Sequence, residues 1–515
     1  MVGKTQKQRA IDKTKIEIAK DINTVIFTAQ NSGIGELLYY LYFLHIVRLT
    51  NVMFDVPAAE KNYTALCVRQ LTDAYTYIIQ LLYKYCQVEL IPSDNNDGVI
   101  NQGLTTFLTK AVLHINAKYE TLSIISLFEH VEVSGERDQF VKLDFSLIKQ
   151  DEYVNKYFHY AIRADRANDK LKETFITKDD YLKHFHEDYL PYADLFVREF
   201  GVSLDDFIEI IDYLLTSVSF KIQCIEGKLP RLSNGLVDVR SYQTLLMVSQ
   251  LMIMDQQEVI NKFGIKALCI IDRLTLKSDE LDEHQLKYNL VTRQPLLKID
   301  NHLFVSPELL LDSLLINTHY SLLEAGNLKE EYKKRYSSVF LNKILQIVAK
   351  YGYTEVTRGL ELFERKNQLG DIDLVLKNKD NRYLLVEAKN HTIPMDVYFH
   401  DFEATKKHLE YLQVEWEAKV NKRAIHLNLN HAKYGIPADY SYIVVSKSPE
   451  ILSHFSSYLI LSIDEFAYWI DQKDETLTFN KLVEDFYKLK NHEFTEDQLH
   501  QIHQDLNTGW KFESK

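Results

Sequence analysis

Along residues 5–278 the apolar positions recur every three to five residues, the spacing that lines one side of a helix with hydrophobic side chains. Residues 60–85 show it in Leu66, Leu71, Tyr75, Ile78, Leu81 and Leu82, and residues 205–225 repeat it in Phe207, Ile210, Ile211, Leu214 and Leu215. Ser203 stands where an N-cap belongs, and Asp205 and Asp206 follow in a first turn where carboxylates meet the positive end of the helix dipole. The polar stretches 93–98 and 134–138 read as loops, and no fixed-period repeat or low-complexity tract interrupts the pattern. The periodicity predicts a large all-α N-terminal region over residues 1–278, in one domain or two, with a regulatory or recognition role and no catalytic motif.

Beyond residue 278 the period shortens. Residues 288–295 and 302–305 read as strands around an Asp300-Asn301 turn, and Pro307 opens a helix through Leu323, so residues 279–326 form a mixed connector. Residues 329–351 are helical, with Val339, Phe340, Ile344, Leu345 and Val348 on one side and Gly352 as the stop. Strands follow at 355–365, 371–376 and 383–389, then an amphipathic helix over 399–421, a strand at 442–445, a short helix at 450–457 and a strand at 459–461. This alternation predicts an α/β domain over residues 327–465, its sheet flanked by helices, with a helical extension at 466–515.

The chemistry concentrates in one hairpin. If residues 378 and 382 close the turn, Asp373 faces Glu387 and Asp371 faces Lys389. Side chains alternate faces along a strand, so Asp371, Asp373, Glu387 and Lys389 share one face, and Ile372, Leu374, Leu376, Leu384, Val386 and Ala388 the other. Charges confined to set positions of an otherwise apolar hairpin pair with one another or hold a metal. Two carboxylates supply the hard oxygen ligands that Mg²⁺ takes, and a lysine in the same pocket orients water or offsets charge on a phosphate. A solvated edge hairpin with a salt bridge is the alternative account.

Composition narrows the class. Among 515 residues, 46% are hydrophobic and 26% charged, the balance of a folded multidomain protein. The formal charge of −13 excludes a surface that coats nucleic acid as a whole, but not a local basic groove. Cys67, Cys86, Cys224 and Cys269 have no metal-binding spacing and fit a reducing compartment. The first residues carry charge rather than an apolar run, and the most apolar stretch, 35–54, includes Glu36, His45 and Arg48; no membrane span and a cytoplasmic location are expected.

The segments G-D-I-D-L-V-L and Y-L-L-V-E-A-K-N resemble the core of the PD-(D/E)xK nuclease superfamily, especially its Mrr-like and Holliday-junction-resolvase-like branches, over residues 329–461. The resemblance implies a restriction-endonuclease-like domain with an αβββαβ core and a Mg²⁺- or Mn²⁺-dependent DNA endonuclease. In it Asp373, Glu387 and the backbone carbonyl of Ala388 ligate metal, Lys389 assists the attacking water, and Asn390 ends the strand in the family's manner. Many members carry a glutamate after a phenylalanine in the preceding helix; here the pair is Phe340-Leu341, and Glu330, Glu331 or Glu364 is left as a substitute. Lys406, Lys407 and His408 lie on the helix that borders DNA in the family, with a solvated helix face as the equal alternative. A helical region joined to such a nuclease suggests a homo-oligomeric anti-phage effector; a nuclease-fold binding or scaffold protein without catalysis is the competing expectation. His184 and His186 suggest a metal site by spacing, but Glu187 and Asp188 beside them read as an ordinary exposed turn, and His391, His426 and His431 have no ligand-spaced partner.

Overall fold

The computed structural model describes residues 5–53, 58–86, 101–127, 131–134, 140–143, 152–174, 177–226, 228, 251–281, 290–390, 393–394, 397, 402–472 and 478–488. The chain divides into two units, one from Met1–Leu122 and Phe175–Tyr332, the other from Ser123–Thr174 and Lys333–Asp505. Among the described residues no helix is long and apolar enough to cross a membrane.

The first unit is mainly helical. Its long helices include Gln6–Gln30, Ile34–Met53, Ala58–Tyr85, Leu204–Glu226 and Pro307–Glu324. The expected cap is present: Ser203 Oγ accepts the Asp206 N–H at 3.0 Å. Phe207, on that helix, packs among the rings of Phe185, Phe196 and Phe200. His184 and His186 lie in the helix Lys178–Tyr189 rather than a turn, paired with Asp188 at 3.2 Å and Asp205 at 3.3 Å. The connector is not separate. Its strands, Leu296–Ile299 and His302–Val305, form a three-stranded antiparallel sheet with Ile253–Asp255. The first of them lies later than expected, directly against the turn, where Asp300 takes φ +52°.

The second unit holds the remaining elements, labelled here in chain order. A two-stranded hairpin, β1 (Val131–Ser134) and β2 (Phe140–Leu143), and helix α1 (Glu152–Thr174) come from the region expected to be all-α, in one domain or two. Then follow α2 (Lys329–Ala349, in this unit from Lys333), β3 (Thr354–Glu364), β4 (Asn367–Lys377), β5 (Tyr383–Lys389), α3 (Phe402–Leu412) and α4 (Ala418–Asn430). A π-helical turn, Gln413–Glu417, joins α3 to α4, so the expected helix continues past residue 421 to Asn430. The unit closes with β6 (Ser441–Ser446), β7 (Ile460–Ser462), α5 (Ile463–Gln472) and α6 (Phe479–Tyr487).

Five strands form a mixed sheet in the order β7-β6-β5-β4-β3, with β3, β4 and β5 antiparallel in succession and β5, β6 and β7 parallel. Apolar side chains cover both faces. On one, Leu374, Leu376, Leu384, Val386, Ile443, Val445 and Leu461 pack with Phe340, Ile344 and Val348 of α2 and with residues of α5 and α6. On the other, Val375 and Leu385 pack with Leu362, Leu369 and Leu427. Ile372 belongs to this second cluster, not with Leu374 as strict alternation predicts; Gly370, two residues earlier, has φ +116°, and β3 opposite carries register shifts. Leu482 and Val483 of α6 are buried in the first core, so part of the expected extension is integral to the domain.

Helix α1 belongs to this unit through a buried ion pair. Arg163 and Glu465 of α5 have fully buried side chains; Nη2 of the arginine binds Oε2 of Glu465 at 2.5 Å, Nε binds Oε1 at 2.6 Å, and Nη1 also meets Ser453. Such a pair holds only if its charges stay mutually satisfied. Helical periodicity alone gives no sign of a partner three hundred residues away.

Candidate active site

The turn at 378–382 is set by Asn378, whose side-chain oxygen accepts the N–H groups of Asp380 and Arg382, each at 2.9 Å, while its own N–H donates to the Arg382 carbonyl at 3.0 Å. This fixes the register, and the ladder runs from Lys377↔Tyr383 to Leu374↔Val386 as expected. Beyond that pair β5 keeps only its other neighbour, β6, with which it is parallel-paired throughout from Leu384↔Ser441 to Lys389↔Ser446. Where β4 and β5 part, the Asp373 carboxylate replaces the missing backbone acceptor: Oδ2 takes the Ala388 N–H at 2.7 Å. Its Oδ1 accepts no hydrogen bond among the described residues.

Glu387 is buried, 1% exposed. Its Oε2 accepts from Lys389 Nζ at 3.2 Å, and its Oε1 accepts from the Tyr442 hydroxyl at 2.6 Å and from Arg423 Nη1. Tyr442 lies opposite Leu385 in the parallel β5–β6 pair, two residues before the partner of Glu387, and so presents its side chain on the same face. Arg423 comes from α4, within the buried set Val420, Arg423, Ala424 and Leu427.

The charges shape one another. Burial, and next the Glu387 charge, push the Asp373 carboxyl up to about 6, although Lys389 and the Ala388 N–H pull it down. Burial works against the charge on Arg423, but Glu387 more than compensates and its pKa rises. Burial and the neighbouring Glu387 carboxylate hold the Tyr442 hydroxyl protonated far above its usual range.

Asp373, Glu387 and Lys389 therefore lie near one another, with the half-buried Ala388 between the last two, although Asp373 and Glu387 are not ladder partners. Asp371 does not join them: it is exposed and stands opposite Glu361 of β3. Glu364 pairs with Asn367 at the far tip of the β3–β4 hairpin, three residues further along β3 than Glu361, too remote to complete the acid cluster. Leu341 of α2, where the sequence resemblance led to the expectation of a carboxylate, packs against the first core. Glu331 is bound to Arg198 in the first unit at 2.9 Å. Asn390 donates to the Tyr336 carbonyl at 2.8 Å and ties the end of β5 to α2.

Lys406 and Lys407 are exposed on α3, but His408 is not available to a ligand: it is buried, with Nε2 3.3 Å from Glu450. His426 and His431 are structural, bound to the Tyr434 hydroxyl at 2.9 Å and the Ile436 carbonyl at 2.7 Å; His391 lies outside the described residues. Arg423 and Tyr442 are members of the site that strand alternation did not bring into view. The legible signal for Arg423 was a charge on the apolar stripe Val420, Ala424 and Leu427.

Among the described residues no three His, Cys, Asp or Glu side chains converge as a metal-ligand set. The carboxylate oxygens differ in how far they are engaged. Asp373 Oδ1 carries no donor, and Glu387 Oε2 carries only Lys389, whereas Oε1 is already engaged by a guanidinium and a hydroxyl. The chain matches no protein-family model, no curated protein and no solved structure.

Proposed function

We propose that the second unit is a PD-(D/E)xK-type domain with a restriction-endonuclease-like fold, and that the protein is a metal-dependent endonuclease acting on DNA. The observation that carries this reading is the joint placement of Asp373, Glu387 and Lys389 at the point where β4 and β5 separate. Burial, and next the Glu387 charge, disfavour an ionised Asp373 when no cation is bound, as its raised pKa reflects. The two acids are well matched to a cation.

Asp373 Oδ1 and Glu387 Oε2, with the Ala388 carbonyl, are the atoms that would hold Mg²⁺ or Mn²⁺. Bound there, the ion supplies Lewis-acid polarisation of the scissile phosphate and a lowered pKa for water. Lys389, tethered by Glu387, orients the attacking water and offsets negative charge growing on the phosphate. Tyr442 keeps its proton and fixes the Glu387 rotamer. Lys406 and Lys407 offer phosphate contacts on α3. The helical unit would supply target recognition, self-assembly or control, which fits a cytoplasmic anti-phage effector by analogy alone.

Plasmid, linear and single-stranded DNA incubated with Mg²⁺ or Mn²⁺, and with EDTA, provide the test. Cleavage that requires metal and disappears in Asp373→Ala and Lys389→Ala, with folding intact, supports the enzyme; undiminished cleavage by both variants rejects the site. Leu341, apolar where a carboxylate was expected, favours a second reading, a nuclease-fold module that binds nucleic acid without cutting it. DNA binding without cleavage under any metal would establish that reading instead.

A further inference from the structure

The acid site already contains a cation. Arg423 is 8% exposed, its Nη1 engages Glu387 Oε1, and its Nε has no hydrogen-bond partner. Asp371 adds a further attraction from outside the contact. The space for the guanidinium comes from Gly370. A Cβ at that position would stand 2.7 Å from Arg423 Nε and 2.8 Å from Nη2, and the backbone there has φ +116°, which side chains other than hydrogen rarely accept. Glycine at the start of the acidic segment and arginine on α4 thus form one device.

Resting on the metal-site reading above, we propose that Arg423 is a resident counter-cation that neutralises Glu387 in the metal-free protein and competes with a divalent ion for that carboxylate. A carboxylate this deeply buried needs positive partners; Lys389 supplies one on Oε2 from the edge of the site, and Arg423 the buried one on Oε1. A guanidinium and a divalent ion on the same carboxylate repel one another, so each weakens the hold of the other. Arg423 then stabilises the empty site and sets a threshold concentration for metal. A structural brace would instead contribute to the fold without affecting metal affinity.

Mn²⁺ titration of the full-length protein, by calorimetry and by the electron paramagnetic resonance of free Mn²⁺, separates these roles. R423Q should bind Mn²⁺ about tenfold more tightly or better, whereas R423K, which keeps the charge, should bind as the wild type does. In EDTA, R423Q should melt at lower temperature, and Mn²⁺ should raise its melting point more than that of the wild type. If R423Q folds only with Mn²⁺ present, that rescue is itself the expected result; no rescue overturns the proposal. G370A, which crowds the guanidinium out of its place, should also tighten Mn²⁺ binding. Wild-type binding that is lost in E387Q but unchanged or weaker in folded R423Q rejects the counter-cation role alone. No Mn²⁺ binding by wild type and variants alike, or binding indifferent to E387Q, rejects the metal-site reading and this proposal with it.

Discussion

Asp373→Asn should make the metal-free protein more stable at pH 8 while abolishing cleavage. In the folded protein the Asp373 carboxyl is raised from its ordinary 3.8 to about 6. At about 1.4 kcal/mol per tenfold change in proton affinity, ionising it costs the folded state about 3 kcal/mol. The folded chain holds this proton more tightly than the unfolded chain, so the side chain's contribution to stability falls as pH rises from about 4 to about 6 and stays low above that. Asparagine is nearly isosteric with the protonated acid, and its Oδ1 can still accept the Ala388 N–H. The stability difference between variant and wild type should be near zero at pH 4 and should reach roughly 1–3 kcal/mol in favour of Asn at pH 8. Guanidinium unfolding in EDTA across that range, followed by a probe in the second unit, measures it; subtracting one curve from the other removes titrations common to both. A difference that does not vary with pH, or a variant weaker than wild type at pH 8, would refute the argument that repulsion and burial strain this acid.

The other predictions concern packing and charge. Arg163→Met should destabilise the second unit by about 3–5 kcal/mol because it strands the buried Glu465, and adding Glu465→Gln should recover part of the loss; chemical denaturation of single and double variants tests this. Leu376→Ala, in the core beneath the site, should cost about 2–5 kcal/mol by the same measurement. In cleavage-deficient protein, joint Lys406→Ala and Lys407→Ala substitution should reduce the salt dependence of DNA binding by up to about two counter-ions. His408→Ala should leave that dependence unchanged and act on stability instead, since its imidazole faces Glu450.

What could be read from the sequence was what local geometry decides. The hairpin register follows from an Asn378 turn, with Leu374, Leu376, Leu384 and Val386 on one face and charges only at its ends, all within one short stretch of chain. Asp373, Glu387 and Lys389 were legible for that reason. Partners chosen by packing were not. Arg423 reaches Glu387 across 36 residues, from a helix whose period gives the direction of its apolar face but not the strand it covers. Nor does periodicity say that α1 packs in the second unit, where Arg163 finds Glu465.

Gly370 shows how part of this could have been inferred. A glycine three residues before a half-buried acid, in a strand that otherwise favours side chains for packing, weakens the strand unless something fills its space. Here that something is a guanidinium, a cation from the facing helix that also binds Glu387. The stripe Val420, Arg423, Ala424 and Leu427 contains one such residue. A missing Cβ on a strand and a misplaced charge on a helix are each ambiguous alone. Together they specify a contact, because each removes the cost the other would impose: the glycine makes room for a buried charge, and the charge neutralises Glu387 on the neighbouring strand.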